Sequence, residues 1–158
     1  MCGIVGIGGN LTPEQMEGAV ERMNAALAHR GPDDEGSWTG RNFAFGMRRL
    51  SIIDLAAGHQ PMWDQRSGTG VVYNGEVYNY RALREEMEKS GSGFNTSSDT
   101  EVVLQSLVLK GAEAVHDWNG MFAVASWNSK EKRLLLIRDR MGIKPLYYYW
   151  DGSMLLFA

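Results

Sequence analysis

Four β-rich segments close this chain: MFAVASW (121–127), RLLLIRD (133–139), PLYYYW (145–150) and SMLLFA (153–158). The turns between them are too short for a helical crossover, so neighbouring strands must run antiparallel. MFAVASW is apolar at nearly every position and cannot present one face to water. A sheet containing it must be covered on both sides, which points to an α/β layered sandwich.

The rest of the chain supplies the covering layers and further strands. GIVGIG (3–8) reads as a short buried strand. Thr12-Pro13-Glu14-Gln15 is a helix start, with Thr12 as N-cap, proline at the first helical position and Gln15 closing a capping box. Met16, Ala19, Val20, Met23 and Leu27 follow at helical spacing, and that helix is expected to end near Ala28. HRGPDDEG (29–36) reads as a loop. Residues 43–54 read as a strand or a strand pair, and GVVYNGEVYN (70–79) as two β-rich runs around Asn74-Gly75. A short helix over 80–89 turns Tyr80, Leu83 and Met87 inward. The stretch 89–99 is a loop, and Ser98-Asp99-Thr100-Glu101 is a second capping box opening a helix that stops at Gly111. The sum is two or three helices among about seven strands.

At 158 residues the chain is about one domain with room for a sizeable core. A net charge of −3 offers no basic footprint for nucleic acid. No apolar run is long enough to span a bilayer, and no charged leader precedes an apolar stretch, so neither a membrane nor a secretory signal is expected. A single cysteine excludes an internal disulfide framework and fits a reducing, cytoplasmic setting. Nineteen glycines exceed average usage and favour tight turns and close backbone approaches.

That cysteine is Cys2, directly behind the initiator. As a lone cysteine it could be a small core residue. Its position argues otherwise. Removal of Met1 puts a nucleophilic sulfur and a free α-amine on one residue. An α-amine titrates at about 7.7–8.0 and can accept a proton near neutral pH, while a thiol near about 8.5 needs only modest help to ionise. His29, His59 and His116 have no metal-like spacing with each other or with Cys2, so a zinc site is rejected; a papain-like cysteine–histidine pair stays open in space.

Asn74-Gly75 carries two readings. Between β-rich runs, Asn-Gly signals a two-residue hairpin turn. The asparagine amide and the glycine N–H can equally aim at one oxyanion. Arg48 and Arg49 occupy opposite faces of a strand, and whichever points inward requires an anion, either a structural carboxylate or a ligand carboxylate in a bidentate fork. Asp99 suits the first turn of a helix and could also hold an ammonium group. GIGGN (6–10) lacks the spacing of a phosphate-binding loop.

Cys2 after Met1, HRGPD, RLSIID, YNGEVYN, SDTE, GMFA and RDRMGIKPLYY together resemble the glutaminase domain of glutamine-hydrolysing asparagine synthetases, which are class II, N-terminal-nucleophile (Ntn) amidotransferases. The resemblance covers the chain from residue 2 to the end. It implies an α+β fold, a four-layer αββα sandwich of two stacked, mainly antiparallel sheets flanked by helices. It also implies a hydrolase reaction in which glutamine and water give glutamate and ammonia.

Carried over residue by residue, the resemblance makes Cys2 the nucleophile and its α-amine the base. Asn74 and Gly75 become the oxyanion hole. Arg49 holds the substrate carboxylate. Asp99 and the main chain near Glu76 hold the α-ammonium, Ile52 and Ile53 lend backbone contacts, and Arg30 and Gly31 wall the pocket. No cofactor or metal is expected in this domain; ATP and magnesium belong to a synthetase (ligase) domain. RLSIID and GIKPLYY tilt the resemblance toward asparagine synthetases, hence asparagine biosynthesis. The same chemistry could serve another acceptor, such as a sugar phosphate, a phosphoribosyl compound or an exopolysaccharide precursor. Residues 1–158 are then expected to be a truncated glutaminase domain, whose partners are glutamine, the missing synthetase domain and, as an open case, a second copy. A chain that keeps Met1 would be a non-catalytic binding module, because the amine is then an amide.

Overall fold

The computed structural model describes residues 2–50 and 58–158. Among the described residues, nine strands form two antiparallel sheets. The first has the order β2-β3-β1-β9-β8, made of β1 (Gly3–Gly9), β2 (Asp34–Thr39), β3 (Phe43–Arg49), β8 (Tyr148–Trp150) and β9 (Met154–Phe157). The second has the order β4-β5-β6-β7, made of β4 (Met62–Asp64), β5 (Thr69–Val77), β6 (Gly120–Asn128) and β7 (Arg133–Arg138). Helix α1 (Pro13–Ala26) covers the first sheet. Helices α2 (Tyr80–Lys89) and α3 (Asp99–Lys110), with a 3-10 segment over Gly111–Asp117, cover the second.

Alternation along the strands builds three apolar interfaces. Val5, Ile7 and Ala44 meet Met16 and Val20 of α1. Ile4, Phe43, Phe45 and Met47 face Val72, Ala123 and Ala125 across the gap between the sheets, so large rings on one side lie opposite small alanines on the other. Val71, Tyr73, Val77, Phe122 and Val124 meet Val103, Leu104 and Leu107 of α3. Strand β6 therefore buries both faces, as its composition requires, and the layers run helix, sheet, sheet, helix. Phe45 is fully buried in the middle interface, and its replacement by alanine would cost about 3–5 kcal/mol.

The Thr12 capping box forms as read: Thr12 Oγ1 accepts from Gln15 N–H, and the Gln15 side chain accepts from Thr12 N–H. At α3 only half a box exists. Ser98 Oγ accepts from Glu101 N–H, whereas the Glu101 carboxylate turns to the preceding loop and accepts from the N–H groups of Asn95 and Thr96 and from the Thr96 hydroxyl. The helix read as ending near Ala28 stops at Ala26. Two strands arise where local pattern shows none: β2, which begins within the expected 29–36 loop and runs on to Thr39, and the short β4. Both exist because a neighbour supplies the ladder: β2 pairs with β3 and β4 with β5. Asn74-Gly75 is not a turn. It lies within β5, paired straight through with Ala123 and Phe122 of β6.

Candidate active site

The first strand pair sets the position of Cys2. Gly3 pairs with Arg48, so Cys2 at the head of β1 lies beside the end of β3, where Arg49 and Leu50 follow. Leu50 N–H donates to Cys2 Sγ at 3.4 Å, and the thiol lies 3.7 Å from the Leu50 carbonyl. Arg30 Nε donates to the Cys2 carbonyl at 3.1 Å, fixing the backbone of the same residue.

A cavity of about 110 Å³ opens at Cys2, several times what one water needs. Arg49, Asn74, Gly75, Glu76 and Asp99 line it together with Cys2. Arg49 comes from β3 with the inward parity of Phe43, Phe45 and Met47, while Arg48 faces the other way to Glu35 and the Asn24 carbonyl. Asn74, Gly75 and Glu76 come from the end of β5, and Asp99 from the first turn of α3. Gly75 has φ +157°, and a β-carbon there would stand 2.1 Å from the Met121 carbonyl oxygen. The strand crosses its neighbour too closely for any other residue.

Arg30 and Gly31 do not line this cavity. Arg30 supports Cys2 from behind and borders a neighbouring apolar cavity. Gly31 packs on the backbone of the site strand, its missing β-carbon leaving room for Arg48 and Arg49 main-chain atoms that would otherwise be 2.4 Å away. Ile52 and Ile53 lie outside the described residues. None of the three histidines lines the Cys2 cavity; His59 pairs with Asp34 and His116 with Glu113, both at the surface. A papain-like pair is therefore not formed. Among the described residues no cluster of His, Cys, Asp and Glu could hold a metal ion, and no helix is long and apolar enough to cross a membrane.

A family model for a glutamine amidotransferase domain matches residues 1–158. The chain belongs to the glutamine amidotransferase domain family. Asparagine synthetase [glutamine-hydrolyzing] 1 of Bacillus subtilis is 43% identical over all of this chain and 26% of its own length. Asparagine synthetase B [glutamine-hydrolyzing] of Escherichia coli is 39% identical over all of this chain and 28% of its own. The amidotransferase domain thus spans about a quarter of the length of these curated relatives. Among solved structures, the allosteric regulatory enzyme of purine biosynthesis superposes on 99% of the domain with a TM-score of 0.78 at 20% identity. Glutamine phosphoribosylpyrophosphate amidotransferase of B. subtilis does so with 0.74. Each match covers 41% of the solved chain, and both show the same fold of two stacked sheets flanked by helices.

The amidotransferase domain's cavity holds residues that sequence reasoning passed over: Leu50, Gln60, Tyr73, Thr100, Met121 and Lys144. Lys144 stood inside a matched motif, RDRMGIKPLYY, but without a role. It is buried, and its N–H donates to Asp139, whose carboxylate also takes the N–H groups of Ile143 and Phe122. Asp99 is buried, which pushes its carboxyl above the ordinary range, and Glu76 adds to that. The Tyr73 hydroxyl at 2.8 Å and the Val77 N–H at 3.3 Å work the other way, by donating to the ionised form.

Proposed function

We propose that this domain hydrolyses glutamine to glutamate and ammonia through a thioester on Cys2. Once Met1 is removed, the α-amine takes the proton from Sγ and the sulfur adds to the γ-carbonyl carbon. The carbonyl oxygen becomes an oxyanion facing the Asn74 amide and the Gly75 N–H; one such donor is worth about 3–4 kcal/mol of transition-state stabilisation. The intermediate collapses as the protonated amine returns its proton to the departing nitrogen, which leaves as ammonia. Water, deprotonated by the same amine, then adds to the thioester carbonyl and expels the sulfur, giving glutamate. Arg49 and Asp99 supply opposite charges for the substrate's α-carboxylate and α-ammonium. Leu50 N–H holds the sulfur in place.

The observation that carries this reading is one cavity lined by Cys2, Arg49, Asn74, Gly75 and Asp99. The ammonia goes to a synthetase domain that makes asparagine, as the names of the 43% and 39% identical relatives suggest. The test is ammonia release from glutamine, with asparagine as control, by a chain whose intact mass shows loss of one methionine. Release from glutamine that disappears in Cys2→Ala supports the reading. A Met1-processed, folded chain that releases none sinks it.

A further inference from the structure

Tyr73 stands one residue before the oxyanion pair, with its ring in the core beneath α3 and its hydroxyl on Asp99 Oδ2. Val77 N–H donates to the same oxygen. Both bonds fall on Oδ2 and leave Oδ1 outside them. The tyrosine is itself held at both backbone groups: its N–H donates to Gln60 Oε1 at 2.6 Å, and its carbonyl accepts from Gln60 Nε2 at 3.3 Å. Gln60 Nε2 also reaches Thr100 Oγ1 at 3.3 Å, next in the chain to Asp99. Strand β5, Gln60 and the start of α3 thus form a closed polar network on the cavity wall, and its outcome is the placement of one carboxylate.

We infer that Tyr73 is a positioning residue that makes the site select ligands bearing a free α-ammonium group: it pins Oδ2 of Asp99 and so presents Oδ1, charged, to the ammonium. The inference rests on the glutaminase reading and adds a specificity determinant to it. The carboxylate needs such a partner because it is buried, and a buried acid drifts toward its neutral form unless donors hold the charge. Other titratable and charged groups bordering the cavity are Glu76 from β5, Arg49 from the end of β3, Cys2 just before β1, whose α-amine is freed once Met1 is removed, and Lys144 from the loop after β7. Glu76 pushes Asp99 toward neutrality, and the bonds from Tyr73 and Val77 oppose it. Tyr73 stays a donor throughout the working range, since burial and then the Asp99 charge raise its phenol well above the ordinary value.

Tyr73→Phe keeps the ring and deletes the hydroxyl. In a Cys2→Ala background, titration calorimetry with glutamine and with glutaramate (the same molecule without the α-amine) reads binding independently of chemistry. Glutamine affinity is expected to fall about tenfold or more, the order of one hydrogen bond to a charged group, with glutaramate affinity unchanged. In the Cys2 enzyme the loss should sit in KM, and in the Cys2→Ala chain the acid limb of glutamine affinity against pH should move to higher pH, because a bond to the ionised form is lost. Replacing Tyr73 by 3-fluorotyrosine, a stronger donor of nearly the same shape, should move that limb to lower pH and serves if Tyr73→Phe does not fold. Equal losses for both ligands, or an unmoved acid limb in either variant, overturn the inference. Failure of the Cys2→Ala chain to bind glutamine at all overturns the glutaminase reading instead.

Discussion

Gly75 lies on Met121 so closely that a β-carbon would stand 2.1 Å from the Met121 carbonyl oxygen and 2.6 Å from Phe122 Cα. Both obstacles are backbone of β6 and neither can swing aside. Gly75→Ala should therefore cost about 3 kcal/mol or more of stability, read as a lower denaturant midpoint at unchanged slope. The folded fraction should also lose activity, since the N–H proposed for the oxyanion moves with the strand. A midpoint within error of the parent would refute the close crossing.

Cys2→Ala should abolish ammonia release and leave glutamine binding measurable by calorimetry, because the charges that would hold the amino acid sit on Arg49 and Asp99. A folded Cys2→Ala chain with no heat of binding contradicts this division between recognition and chemistry.

Arg49→Lys keeps the charge but replaces a planar fork with a point charge. Steady-state kinetics should show KM for glutamine rising about tenfold or more, with kcat less affected. An unchanged KM would remove Arg49 from carboxylate binding.

Asp139 is expected to show itself in the pH dependence of stability. Burial alone would raise its carboxyl, but the N–H groups of Lys144, Ile143 and Phe122 together hold it below the ordinary 3.8. A carboxyl lowered in the folded state contributes stability that is fully present above 3.8 and lost as pH falls through the folded-state value. Asp139→Asn turns one acceptor into a donor facing backbone N–H groups and should lower stability near neutrality by about 2–3 kcal/mol. The gap between variant and parent should narrow as the pH drops below about 4. A gap independent of pH would mean the carboxylate charge is not what holds the loop.

Much of this architecture is legible in local sequence. The Thr12 box, the apolar spacing of α1, the 80–89 helix and the two-faced burial of β6 all follow from nearest-neighbour chemistry. What escaped has a common cause. Strand β2 and the short β4 are strands only because β3 and β5 lie alongside them, and nothing inside DEGSWT or MWD announces that partner. Asn74-Gly75 carries a strong local turn signal that long-range pairing with β6 overrides. The same holds at the site. Cys2 was conspicuous by position; strand parity left Arg48 and Arg49 open, and only the resemblance of RLSIID singled out Arg49, whereas Tyr73, Gln60 and Thr100 reach the cavity through a crossing between β5 and α3 that is invisible until both are in place.

The antiparallel register of Gly3 with Arg48 has a consequence for substrate length. Continued by one residue, that register sets Cys2 opposite Arg49, so the backbones that carry the proposed nucleophile and the proposed carboxylate anchor are spaced by the ladder itself. A shorter amide such as asparagine, held at Arg49 as proposed for glutamine, should fall one methylene short of the sulfur. On that reading the spacing of two strands, and not only the shape of the pocket, tells the two amides apart.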